Sequence, residues 1–318
     1  MKRRDLLKAG AVAALSPGLW RPAIAAPAGM IKFVPQTSLT SLDPVWTTAA
    51  VTRGFAYLVY ETLFAYDEHL EPRPLMVEAM ATEDGGRRVT LRLRADMPFH
   101  DGTPVLARDC AASLRRWMVR DPVGQTISDR LEALETPDDR TLVFRLRKPF
   151  PLLPRALAKT QPSPVIMPER LAKTDPYKQV TEVVGSGAFR FLPDEFVSGA
   201  AAGFAKFDRY VARDDPTSFA AGAHRVLVDR VEWHVLPDPA TVANALLAGE
   251  VDWVEMPLPD QLPQLRRSRA LSVGPIDLNG ILLALRPNHL HPPTNNPLFR
   301  RAMLAAVDQR EVMAAVMG

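Results

Sequence analysis

The clearest periodicity in the chain lies between residues 87 and 97, where Val89, Leu91 and Leu93 alternate with Thr90, Arg92 and Arg94. A period of two puts the apolar side chains on one face, so the segment is expected as a half-buried strand. Leu142, Phe144 and Leu146 repeat the pattern after an Asp138-Asp139 turn and give a second strand. Between them Ala107–Val119 reads as a helix. Thr48–Leu63 reads as an amphipathic one, with Val51, Phe55, Leu58 and Val59 at helical spacing. Residues 31–34 form a short first strand ahead of a Leu42-Asp43-Pro44 turn. The proline-rich stretch 151–168 is expected to run along the surface as an extended path.

Further on, Gly185-Ser186-Gly187-Ala188 reads as a tight turn entering a strand through Leu192. Val226–Leu236 is a strand rich in valine. Asp238-Pro239 supplies an N-cap and a first-position proline for a helix through Leu246-Leu247, which Gly249 ends, and Val251–Met256 returns as a strand. Such a strand–helix–strand unit is the mark of a parallel sheet in an α/β domain. Asn296 then caps a helix beginning at Pro297, and Asp308 with Glu311 forms a capping box for another. The sequence stops at Gly318 with nothing after these helices for them to pack on, so an incomplete domain is expected there.

The length of 318 residues suits about two domains. Apolar residues at 47% and charged residues at 24% describe an ordinary soluble protein, and 30 prolines favour rigid loops over a helix bundle. The pI of 9.1 would suggest a nucleic-acid partner until the charge is located. Lys2, Arg3, Arg4, Lys8 and Arg21 stand against Asp5 in the first 25 residues, and removing that net +4 turns the formal +3 into −1. No basic patch with interleaved aromatics remains, so nucleic acid is not an expected partner. An apolar run from Ala9 to Trp20 follows the basic start, too short for the ~20 residues of a membrane span. Ala23-Ile24-Ala25 then offers a small-x-small cleavage site, so residues 1–25 are expected as a signal peptide cut between Ala25 and Ala26. Arg3-Arg4 followed by Leu6-Leu7-Lys8 resembles a twin-arginine export signal, with an ordinary secretory signal as the alternative. No cysteine follows the cleavage region, and Cys110 alone is expected in the interior of a helix. The expectation is a soluble periplasmic protein without a lipid anchor.

Candidate chemistry is sparse. His100-Asp101 lacks the third ligand that a metal site needs, and Asp101-Gly102 reads as a turn. His289 and His291 precede Pro292-Pro293 and fall in a loop. Gly185-Ser186-Gly187 has neither the Gly-Lys-Ser/Thr of a phosphate loop nor the G-x-S-x-G of a nucleophile elbow. No catalytic residue, metal or cofactor is assigned.

Several segments, taken in order, are similar to one family, the extracellular solute-binding proteins of peptide and nickel type (family 5) that serve ABC importers. They are Leu42-Asp43-Pro44; Val59 through Asp67, read as V-Y-E-T-L-F-A-Y-D; Leu91 through Arg94 with Phe99-His100-Asp101-Gly102-Thr103-Pro104-Val105; and Ala107-Arg108-Asp109. Val184 through Phe189, Gly249-Glu250-Val251-Asp252 and Asn296 through Ala302, with Asp308-Gln309-Arg310 beyond, complete the set. The resemblance implies a type II periplasmic-binding-protein-like α/β fold with two hinged lobes and an extra inserted domain. It would put the first lobe at residues 26–46 and 170–260, an inserted α+β subdomain at 47–169, and the start of an incomplete second lobe at 261–318. It implies a monomeric, non-enzymatic carrier that captures a small-molecule or peptide solute and presents it to an ABC permease. The alternatives are a non-functional truncated fragment of such a carrier or a secreted hydrolase. The resemblance points to Thr47 and Thr48 after the LDP turn, to Ser186 and Gly187 in the glycine turn, and to Trp253 and Glu255 at the cleft edge. The apolar Ile281–Leu285 stands where oligopeptide binders carry solute-facing tyrosine and glutamate, which makes Leu282 and Leu283 candidates.

Overall fold

A computed structural model describes residues 29–276 and 284–317. The export-signal residues Arg3 and Arg4, the cleavage pair Ala25 and Ala26, and the candidates Leu282 and Leu283 lie outside the described residues.

Two sheets carry the architecture. The first has five strands in the order β11-β1-β10-β9-β8. They are β1 (Met30–Val34), β8 (Phe189–Val197), β9 (Ala201–Lys206), β10 (Arg230–His234) and β11 (Trp253–Val254). β1 lies between β10 and β11 and runs parallel to both, with Phe33 opposite Trp233 on one side and Trp253 on the other. The expected strand–helix–strand unit is present, but the two strands flank β1 rather than each other. Both are shorter than their apolar runs: Val226 and Val228 pack beside the core without joining the sheet, and β11 is a two-residue edge strand. The helix between them, α6 (Pro239–Ala248), has the predicted ends. The Asp238 carboxylate accepts the Thr241 amide at 2.7 Å, and Gly249 closes the helix at φ 73°.

Successive side chains of β1 point to opposite faces. Val34 packs with Val242, Ala245 and Val251 under α6. Phe33 belongs to the other face, where an aromatic series runs Trp253–Phe33–Trp233–Phe204–Phe191, each ring pair 4.9–5.9 Å apart. Helix α1 (Ala50–Val59) covers that face, setting Phe55 at right angles to Phe191 at 5.6 Å and Gly54 over the Trp233 ring, which a Cβ there would meet at 3.5 Å. α1 stops at Val59 instead of continuing to Leu63. Tyr60 is extended, and the Val59 carbonyl accepts the Gly187 amide at 2.9 Å. α1, just past the expected boundary between residues 46 and 47, lies on the five-stranded sheet.

The second sheet is antiparallel, in the order β4-β5-β7-β6. Its strands are β4 (Val77–Glu83), β5 (Arg88–Leu93), β6 (Leu131–Asp138) and β7 (Thr141–Leu146). The alternating strands β5 and β7 are central, with Leu91 opposite Leu142 and both inaccessible to solvent. Helix α2 (Ala107–Arg120) packs on this sheet and buries Cys110, Leu114 and Trp117. One hydrophobic core links both sheets, α1 and α2. The 151–168 segment departs from expectation. It contains a short helix at Leu153–Leu157, and Val165, Ile166 and Met167 are buried. Their apolar side chains outweigh the proline content, and the Ile166 amide finds the Glu61 carbonyl at 2.9 Å. The Asn296 cap accepts the Leu298 amide as expected, at the start of a helix spanning Pro297–Ala306 that buries no residue. Asp308 accepts the Arg310 and Glu311 amides ahead of Gln309–Met317.

Candidate functional site

The candidates separate onto two ends of the five-stranded sheet. The register fixes the ends: Met30, Arg230, Ala205 and Arg190 stand side by side at the amino end of the parallel strands. Ser186 and Gly187 enter β8 beside Arg190, so they belong to that end. The carboxyl ends of β1 and β11 lead instead to Gln36 and Glu255. Four strand spacings separate β8 from β11, about 19 Å. The structure thus sets Trp253 and Glu255 at one end of the sheet and Ser186 and Gly187 at the other, with Thr47 and Thr48 in the loop ahead of α1 that Asp43 ties to Arg116.

At the carboxyl end, the Glu255 amide bonds the Val34 carbonyl at 3.0 Å, continuing the β1–β11 ladder by one residue. Its carboxylate accepts the Gln36 amide at 2.9 Å and the Gln36 Nε2 at 3.3 Å. Among the described residues it has no cationic partner. The Trp253 ring meets Phe33 edge-on at 4.9 Å and remains 45% exposed. Met256 and Leu258 continue that exposed apolar surface. Thr48 is exposed, while the Thr47 hydroxyl accepts the Ala49 amide at 3.1 Å just ahead of α1. Sequence reasoning missed Gln36; the signal available was its place two residues past the end of a parallel strand, where α/β sheets bind ligands.

The loop from β1 to α1 is anchored from below. Asp43 of the LDP turn is buried and takes both Arg116 nitrogens, at 2.6 and 3.1 Å. It also accepts the Val45 and Val180 amides, each at 3.0 Å. The bidentate pair and the backbone donors pair the two buried charges, while the Arg116 Nε finds no hydrogen-bond partner among the described residues. Nothing in the sequence pattern marked Arg116, because Leu114-Arg115-Arg116 reads as the polar side of a helix.

The amino end is closed. Ser186 is 3% exposed, and its hydroxyl has no hydrogen-bond partner among the described residues. Gly185 and Gly187 lie against α1 so closely that a Cβ at Gly185 would stand 2.0 Å from the Val59 carbonyl oxygen, and one at Gly187 2.6 Å from the Val59 carbonyl carbon. His100 completes the seal: Nε2 donates to the Gly187 carbonyl at 2.9 Å and Nδ1 accepts the Gly185 amide at 3.4 Å. Burial pushes its pKa down to about 4, so the ring is neutral with one tautomer. Asp101 accepts the Thr103 amide and hydroxyl, and Gly102 turns at φ 88°, as the turn reading expects.

Glu61 of the Y-E-T-L-F segment is also buried, and burial raises its pKa against the opposing pull of His224 and Arg94. Tyr210 donates to it, and Arg94 stands 3.6 Å away. Burial also raises the Cys110 thiol and removes it from thiolate chemistry at neutral pH. His289 and His291 lie in a turn region, as expected. Among the described residues, no group of three or more His, Cys, Asp or Glu side chains gathers as a metal site, and no helix is long and apolar enough to cross a membrane.

Comparison with known proteins agrees with this fold. The profile of "Bacterial extracellular solute-binding proteins, family 5 Middle" matches residues 71–318. The chain is 39% identical, over its whole length, to "Probable peptide ABC transporter periplasmic-binding protein y4tO" of Sinorhizobium fredii, and spans 60% of that relative. The agropinic acid-bound periplasmic binding protein AgaA of A. tumefaciens R10 is 25% identical and superposes with a TM-score of 0.62, over 76% of this chain and 46% of its own. A dipeptide-binding protein of a Pseudoalteromonas species in complex with Met-Leu, 18% identical, has the same fold at a TM-score of 0.71 over 90% of this chain and 58% of its own. With most of its length matched by the family profile, the chain belongs to the bacterial extracellular solute-binding proteins, family 5.

Proposed function

We propose that the protein is the periplasmic solute-binding component of an ABC importer, which captures a small solute or peptide and delivers it to the permease. The observation that carries this reading is the open carboxyl end of the parallel strands. There an exposed tryptophan stands beside a carboxylate that meets no cationic group among the described residues, in a fold that belongs to a solute-binding family. Trp253 supplies apolar contact area, Glu255 and Gln36 supply fixed polar groups, and Thr47 and Thr48 frame the start of α1. The reading includes export through the basic leader, a soluble monomer without a lipid anchor, and no catalysis. It also includes the division into a first lobe, an inserted subdomain and a second lobe beginning near residue 261, with α1 joined to the first lobe.

Thermal unfolding with a panel of peptides, opines and sugars tests it. A solute at 100 times its Kd stabilises the folded state by about 2.7 kcal/mol. A concentration-dependent rise in Tm with one class supports capture, and a panel without any shift counts against it. Turnover of a panel compound in the absence of membranes would favour a hydrolase.

A further inference from the structure

We propose that Arg120 forms a carboxylate-binding site beside the Thr47–Thr48 segment, built separately from Trp253 and Glu255. Arg120 is the last residue of α2. Its guanidinium carbon lies 4.6 Å from the centroid of the Trp46 ring and 5.3 Å from that of Tyr177. Both distances are within cation–π range, and stacking on two rings fixes the plane of the guanidinium while leaving its N–H edges unused. Among the described residues the Arg120 side chain donates no hydrogen bond and has no carboxylate at ion-pair distance.

The acids of this neighbourhood are committed elsewhere. Asp43 is held by Arg116 and two backbone amides. Asp121 caps the following helix through the Val123 and Gly124 amides and pairs with Lys159. Asp175 accepts the Tyr177 amide at 2.9 Å. Arg116, one turn earlier in α2, shows the pairing such a guanidinium can make here, with both terminal nitrogens on one carboxylate. Arg120 has the same fork, is held in orientation, and lacks the anion. A planar fork of donors matches a carboxylate in two parallel hydrogen bonds, which a lysine ammonium cannot reproduce. Trp46 directly precedes Thr47, so a carboxylate on Arg120 would sit next to the segment that leads into α1. The site therefore selects small molecules bearing a carboxylate. This inference rests on the solute-binding reading for its physiological sense, whereas its test does not.

The test follows the Arg120 Nε–H and Trp46 indole N–H signals by NMR during titration with N-acetylglycine and, separately, N-acetylglycinamide at constant ionic strength. The carboxylate is expected to shift both signals saturably and the amide to shift neither. Arg120→Gln should abolish the Trp46 response. Arg120→Lys, which keeps the charge and loses the planar fork, should weaken binding at least tenfold. The proposal is overturned by the absence of a saturable shift, by equal shifts from the amide, by a Trp46 response that survives Arg120→Gln, or by unchanged affinity in Arg120→Lys.

Discussion

The two ends of the five-stranded sheet are built by opposite means. At the amino end, backbone packs on backbone: Gly185 and Gly187 press against the end of α1, and a neutral histidine ties the two glycines together. At the carboxyl end the side chains stay open, and rigidity comes from beneath, through the Asp43–Arg116 pair that holds the β1–α1 loop. Close packing leaves no room for a solute, whereas an anchored loop with exposed groups does. Under the proposed function the difference favours the carboxyl end, a choice that motifs alone do not make, since both ends carry segments that resemble the family.

The comparison can be broken by mutation. Arg116→Ala is expected to have the largest effect, about 3–5 kcal/mol, because it strands the Asp43 carboxylate in the interior; denaturant unfolding measures it. Gly185→Ala should cost about 3 kcal/mol, since its Cβ meets a backbone oxygen that cannot swing aside. Acid sharpens the contrast. The native state holds His100 neutral down to about pH 4, while the unfolded chain protonates it near 6.5. The unfolded state therefore binds the extra proton first, and stability is lost as pH falls from about 6.5 to 4, with a ceiling of about 3 kcal/mol. His100→Gln should flatten the stability–pH slope in that window. At the open end, Glu255→Gln should change stability by no more than about 0.5 kcal/mol while weakening solute capture.

Much of this fold was legible in the sequence, for a physical reason. β5 and β7 are central strands with one buried face, so their alternation is clean, and α6 announces itself by Asp238, Pro239 and Gly249. β4 was not legible: in an edge strand only Val77 is buried, and the remaining residues carry no period. β6 contains Pro137 and breaks register twice. The site was legible in part. Trp253 and Glu255 follow a readable strand–helix–strand unit. The glycine turn packs against the interior, as do other segments that resemble the family: Asp43 binds Arg116, and Asp109 takes the Leu106 and Glu169 amides. Segments of that kind report the fold and leave the solute unnamed.

The most direct measurement compares Trp253→Ala with Ser186→Ala in the thermal-shift titration, using whichever solute stabilises the parent protein. The open-end placement predicts that Trp253→Ala loses most of the ligand-induced shift and that Ser186→Ala keeps it, whatever each does to the unliganded Tm. Loss of the shift in Ser186→Ala with an intact shift in Trp253→Ala would contradict it.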